Sequence, residues 1–175
     1  PTYAWQTSSN GNNWVDAGSN ATYTVASTDE GKSIRAVVSY TDGQGFDEIV
    51  TATAVDIPYV NDGAASYSIS GTAAVGNTLS LNLGTADPDG SGTGTPTYAW
   101  QTSSDGNTWS NAGSNATYTV TSNDEGKSIR AVVSYTDGQG FNEQVLTNTV
   151  PIPTPEPESG ALVEPIIGTD GNDRL

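Results

Sequence analysis

The chain has 175 residues, and its 20 acidic against 5 basic side chains give a formal net charge of −15. It contains no cysteine and no histidine, so disulfides, the commonest transition-metal ligand and the usual neutral-pH base are missing, and no catalytic site is predicted. The negative charge excludes nucleic acid as a partner, and no stretch of roughly 20 apolar residues is present for membrane insertion.

The first segment, residues 1–60, recurs later in the chain. Residues 1–50 align without a gap with residues 96–145, and only eight of the fifty positions differ. The offset of 95 residues, from Pro1 to Pro96, exceeds that of solenoid repeats, which is about 20 to 50 residues, and fits a folded domain in an array. Because the opening residues fall inside a repeat, we interpret both ends as cut points in a longer polypeptide. We expect the first segment to hold the last five strands of a truncated domain.

Residues 62–152 are predicted to form one complete domain. Apolar residues alternate with the period of two that is typical of half-buried strands, and Asn-Gly and Asp-Gly pairs indicate turns between them. Seven strands are predicted, at 66–71, 78–85, 96–103, 107–111, 116–120, 128–137 and 142–151. This count and spacing predict an all-β fold, with immunoglobulin-like antiparallel β-sandwich repeats in tandem.

Two tryptophans, Trp100 and Trp109, flank a turn that contains an Asp-Gly pair, and Trp5 and Trp14 hold the same places in the first segment. Their regular spacing along strands favours packing in the core or against the hairpin. The alternative is a glycan-binding platform, which requires exposed and coplanar rings. Burial of the rings distinguishes the two interpretations.

Several loops carry carboxylates that could converge on a hard cation such as calcium. Asp87 and Asp89 stand two residues apart in a glycine-rich loop. At the junction between the repeats, Asp62 lies in the linker and Asp42 and Asp47 lie shortly before it, and Asp137 is the counterpart of Asp42 in the second copy. Polar turns and solvated loops remain the alternatives to metal sites.

The C-terminal part of the sequence changes character twice. Residues 153–166 form a linker rich in proline and glutamate, and its prolines favour an extended, semi-rigid conformation. Residues 167–175 then read IGTDGNDRL, a short run rich in glycine and aspartate.

Three motifs taken together carry a family resemblance: YAWQTSSDGNTW at 98–109, DEGKSIR at 124–130 and SYTDG at 134–138. They resemble the immunoglobulin-like repeats of large bacterial adhesins exported by type I secretion. Residues 167–175 resemble the opening of an RTX nonapeptide array, in which glycine permits tight turns and aspartate supplies calcium ligands. The resemblance implies that Asp170 and Asp173 would bind calcium if the array continued beyond Leu175, since one repeat cannot close a site.

The resemblance also implies a function. It indicates a non-catalytic structural extender of a secreted or cell-surface adhesin, stiffened by calcium, which is exported without calcium and folds where calcium is abundant. Neighbouring repeats of the same chain are its implied partners, and the sequence does not identify an adhesion target. The alternatives are a glycan-binding module and an accessory β-sandwich of a secreted hydrolase.

Overall fold

A computed structural model of the chain describes residues 1–155. This part is almost entirely β-structure, and all its strand pairs are antiparallel, which confirms the predicted all-β class. It divides into two compact units, Pro1–Asp62 and a second that begins at Gly63. Within the described residues, no helix has the length and hydropathy required to cross a lipid bilayer. The immunoglobulin-like assignment stays a prediction.

The first unit contains one antiparallel sheet. Its strands are β1 (Thr2–Ser8), β2 (Val15–Gly18), β3 (Ser33–Thr41), β4 (Asp47–Thr51) and β5 (Val55–Asp56). The order is β2-β1-β3-β4, and β5 also pairs with β3. A single-turn 3-10 helix, Ser27–Asp29, precedes β3.

The second unit contains two sheets. The smaller has the order β10-β7-β6 and consists of β6 (Tyr67–Ser70), β7 (Thr78–Leu83) and β10 (Thr117–Thr119). The larger consists of β8 (Thr97–Ser103), β9 (Ser110–Gly113), β11 (Ser128–Thr136), β12 (Asn142–Leu146) and β13 (Val150–Pro151). Its order is β9-β8-β11-β12, and β13 also pairs with β11, which is the arrangement of the corresponding strands in the first unit. A 3-10 turn, Ser122–Asp124, precedes β11.

The apolar core of the second unit lies between these two sheets. Trp100 of β8 and Leu79 of β7 are fully buried, and so are alternate residues of β11, as the period of two predicts. Burial of each large apolar side chain contributes about 1.5–3 kcal/mol. The core consists of Ala73, Leu79, Trp100, Val120, Ile129, Ala131 and Ile152.

Two of the predicted strands were wrong in their bounds. The last one, 142–151, is interrupted between β12 and β13, and β4 and β5 are interrupted at the equivalent place in the first unit, where Ala52 replaces Thr147. At the break in the second unit, the Thr147 hydroxyl accepts a hydrogen bond of 2.9 Å from the Ala131 amide. The fourth, 107–111, begins only at Ser110, because the Asp105 carboxylate draws the preceding residues into a turn.

Candidate metal centre

Three buried carboxylates meet at one end of the second unit. Asp87, Asp89 and Asp137 each bring one oxygen to within 4.8 Å of the others. Their exposed fractions are 9%, 8% and 3%. Asp87 and Asp89 belong to the connection between β7 and β8, and Asp137 follows β11 directly. Because burial makes each negative charge costly and proximity makes the three repel, this is an arrangement that a cation would stabilise.

The loop at residues 87–92 is folded by its own first carboxylate. Asp87 Oδ1 accepts a hydrogen bond of 2.8 Å from the Asp89 amide, and the Asp87 carbonyl accepts one of 3.1 Å from the Gly90 amide. Gly90 has a φ of 82°, in the left-handed region that glycine adopts without strain. This turn holds the carboxylates of Asp87 and Asp89 close together.

The loop after β11 is organised around Asp137. Asp137 Oδ1 accepts hydrogen bonds from the amides of Gln139, Gly140 and Phe141, at 2.9, 2.7 and 2.8 Å. The other carboxylate oxygen, Oδ2, is buried and has no hydrogen-bond partner among residues 1–155, and the same holds for Gln139 Oε1. A buried acceptor without a donor costs about 1–3 kcal/mol, and more when it is charged. Both oxygens are therefore suited to a cation.

The two loops are joined through their backbones. The Gly138 amide donates a hydrogen bond of 3.1 Å to the Gly90 carbonyl, and Ser91 forms an isolated β-bridge with Asp137. A Cβ atom on Gly138 would lie 2.6 Å from the Asp89 carbonyl oxygen, and one on Gly92 would collide with the Thr136 carbonyl oxygen. Glycine at both positions permits this close approach, which brings Asp89 and Asp137 together.

Tyr135 holds the carboxylate of Asp87 in place. Its hydroxyl donates a hydrogen bond of 2.6 Å to Asp87 Oδ2 and accepts one of 2.7 Å from the Ala65 amide. Burial raises the pKa of Tyr135 to about 12, and the hydrogen bond to Asp87 contributes to the rise. Tyr135 is therefore a permanent donor at neutral pH. Sequence reasoning missed both Tyr135 and Gln139, although alternation along a strand places Tyr135 and Asp137 on one face.

The donor atoms are oxygens, which hard cations such as calcium and magnesium prefer. Calcium takes six to eight oxygen ligands at about 2.3–2.6 Å, so that ligands on opposite sides of the ion are roughly 5 Å apart. A carboxylate separation of at most 4.8 Å agrees with that geometry. Zinc and copper prefer nitrogen and sulfur ligands, and the sequence has neither histidine nor cysteine.

The other predicted ligands do not join this cluster. Asp42 holds the place of Asp137 in the first unit, and hydrogen bonds from the amides of Phe46 and Gln44 lower its pKa. Asp47 accepts a hydrogen bond from the Thr41 hydroxyl, and Asp62 is exposed. Within residues 1–155, none of these belongs to a group of three acidic side chains.

Pro1–Asp62 has no counterpart of the loop at 87–92. Asp170 and Asp173 lie outside the described residues.

The tryptophans do not form an exposed pair. Trp100 is fully buried, and its Nε1 donates a hydrogen bond of 2.9 Å to the Asn115 carbonyl. Trp109 is half-buried beneath the Arg130 guanidinium, whose carbon lies 4.0 Å from the ring centroid. Trp100 is thus unavailable for the coplanar platform that the glycan-binding alternative requires.

No protein-family model matches the chain, and no curated protein is significantly similar to it.

Proposed function

We propose that this chain is a non-catalytic structural segment of a secreted or cell-surface protein, an extender of the kind found in bacterial adhesins, and that calcium stiffens its second unit. Asp137 carries the proposal. Its Oδ2 is buried without a hydrogen-bond partner among the described residues, and it lies beside the carboxylates of Asp87 and Asp89. A divalent cation would satisfy this oxygen and remove the repulsion between the three charges.

The position of the carboxylates explains how an ion would stiffen the unit. The residue pair Asp87 and Asp89 lies on the connection that passes from the smaller sheet to the larger one, whereas Asp137 begins the hairpin between β11 and β12. A shared ion would tie the crossover to the hairpin. Binding to the folded state alone stabilises it by about 2.7 kcal/mol at a calcium concentration 100 times the dissociation constant.

The extender role is supported by the repeated sequence. A sequence copied at an offset of 95 residues with 42 of 50 positions unchanged provides similar folding units in series. The charge of −15 keeps such a chain soluble, and it makes the folded state sensitive to cations.

The test compares two matched substitutions in identical loops. The sequence Thr-Asp-Gly-Gln-Gly-Phe occurs at 41–46 and at 136–141, but only Asp137 belongs to the cluster. We expect saturating calcium to raise the melting temperature of the wild-type second unit by about 10 °C over that in a chelator. Asp137→Asn should abolish this rise, and Asp42→Asn should retain it.

Hydrogen exchange would localise the effect, because calcium should slow exchange at residues 87–92 and 137–141. An unchanged melting temperature in calcium would refute the calcium part of the proposal. Equal loss of the response in both variants would place the ion elsewhere and contradict the assignment to Asp137.

A further inference from the structure

One pentapeptide occurs twice in the chain and adopts two conformations. Residues 21–25 and 116–120 both read Ala-Thr-Tyr-Thr-Val. In the second unit, Thr117–Thr119 form β10 and pair with β7, with Tyr118 opposite Leu79. In the first unit, residues 22–24 belong to no strand. The sequence is the same, so the difference comes from β7, which has no counterpart within Pro1–Asp62.

The apolar residues next to this segment differ in the same way. Val120 is 1% exposed, whereas its counterpart Val25 is 50% exposed. Trp100 is fully buried, and its counterpart Trp5 is partly exposed. The same relation holds along β3, whose Ile34, Ala36 and Val38 are partly exposed where Ile129, Ala131 and Val133 are buried. The first unit therefore presents an uncovered apolar face beside an unpaired edge.

We propose that this face and edge are a docking site for a β-hairpin of the sequence type of residues 64–85, which contain β6 and β7. Its second strand would pair antiparallel with residues 22–24, as β7 pairs with β10. Its inward residues, those equivalent to Ile69, Leu79 and Leu81, would cover Trp5 and Val25. This mode of recognition is β-strand addition, in which main-chain hydrogen bonds supply affinity and side-chain pockets supply specificity.

The second unit shows which contacts the hairpin would make. The Gly76 amide donates a hydrogen bond of 2.9 Å to the Val120 carbonyl, and the Val120 amide donates one of 2.9 Å to the Asn77 carbonyl. Leu79 belongs to the buried core there, with Ile69 and Leu81 packed against it. The same bonds and contacts are possible at Val25, because the sequence at 21–25 is identical.

Charge also favours this occupant. Residues 64–85 contain no charged side chain, although the whole chain carries a net charge of −15. Docking of this hairpin is therefore not opposed by the repulsion that an acidic partner would meet. A second copy that presented its own apolar face would bring two acidic units together.

The first experiment adds a synthetic peptide of residues 64–85 to the full chain. We expect one peptide to bind per chain, with a blue shift of tryptophan emission as Trp5 becomes covered and with slower hydrogen exchange at residues 22–25. The matched control peptide carries Leu79→Asp and Leu81→Asp, and it should bind at least tenfold more weakly. Equal binding of the two peptides would overturn the proposal.

A fusion makes the test independent of weak affinity or of a poorly folded peptide. A second copy of residues 64–85 is placed before Pro1 of the full chain, through a flexible ten-residue linker that matches the length of residues 86–95. The fused hairpin should raise the melting temperature of the first unit by several degrees, and a fused hairpin with the two aspartates should not.

Identical unfolding of the two fusions and the parent chain would overturn the proposal. So would a parent chain that is a dimer with residues 22–25 already protected from exchange, because the face would then belong to a second copy of the chain.

Discussion

The hydroxyl of Tyr118 donates a hydrogen bond of 2.8 Å to Oδ2 of Asp124, a carboxylate that is almost fully buried before β11. Thr121 adds two more donors to the same oxygen, its amide at 2.9 Å and its hydroxyl at 2.7 Å. Burial raises the pKa of Asp124, but these hydrogen bonds outweigh it and lower the pKa overall. Burial and the bond to Asp124 raise the pKa of Tyr118 to about 12, so the donor stays protonated.

Tyr118→Phe should destabilise the second unit by about 1 kcal/mol, because Asp124 loses one of three donors while the ring and its packing are kept. Urea unfolding of the full chain measures the change. Thr121→Ala should cost a similar amount, since it removes the hydroxyl that the first unit lacks at Ala26. A hydrogen bond of this kind contributes about 1 kcal/mol to stability. A cost below about 0.3 kcal/mol for both changes would therefore contradict the assigned role.

Asp105→Asn should make the free energy of unfolding depend less on pH in the acidic range. Hydrogen bonds from the amides of Thr108 and Asn107 and from the Ser103 hydroxyl lower the pKa of Asp105 below its usual value of 3.8. Its stabilisation is therefore complete above about pH 4 and is lost as the pH falls through the folded-state pKa.

The difference in unfolding free energy between wild type and Asp105→Asn should thus be largest near pH 6 and shrink towards pH 2.5. The reciprocal change, Asn10→Asp, should introduce the same dependence into the first unit, where Asn10 accepts bonds from the amides of Asn12 and Asn13. A constant difference across this pH range would show that the charge of Asp105 has no part in holding the turn.

Gly138→Ala should destabilise the second unit by about 1–3 kcal/mol, because the new methyl group would be forced against the Asp89 carbonyl oxygen. It should also weaken calcium binding by separating Asp89 from Asp137. Gly43→Ala is the matched control, since a Cβ there would have no described atom within 4 Å. Thermal unfolding and calcium titration of both variants measure the effects, and equal behaviour would argue against close contact of the two loops.

Val120→Ala should cost about 1–3 kcal/mol, whereas Val25→Ala should be nearly neutral in the unaltered chain. The two valines follow the same four residues, so the comparison isolates the effect of the covering sheet. Denaturant unfolding monitored by tryptophan fluorescence provides the measurement. If Val25→Ala proved as costly as Val120→Ala, the face around Val25 would be covered in solution.

Local sequence patterns predicted what depends on local geometry. The alternation of Ile129, Ala131 and Val133 gave the buried face of β11, and the turn residues near Asp105 marked a hairpin. Asp87 and Asp89 could be paired from their spacing alone. These features depend on the period of a strand and on the residues that tight turns require.

The remaining features depend on contacts between distant parts of the chain. The sequence of the pentapeptide at 21–25 and 116–120 does not determine whether it forms a strand, because strand formation requires pairing with β7. The approach of Asp137 to Asp89 depends on glycines in two separate loops. Pairing of this kind is a tertiary effect, and strand propensity is correspondingly weak.

The hydrogen bond from the Gly138 amide to the Gly90 carbonyl bears on how long the second unit survives. The bond closes a long loop of the chain. Contacts that close long loops form late in folding, because the conformational entropy lost on closure must be overcome before they form. An ion held beside it would therefore slow the opening of the sandwich more than it would speed its formation. Calcium would then lengthen the lifetime of the folded state and so protect the second unit against proteases that cleave it only when it opens.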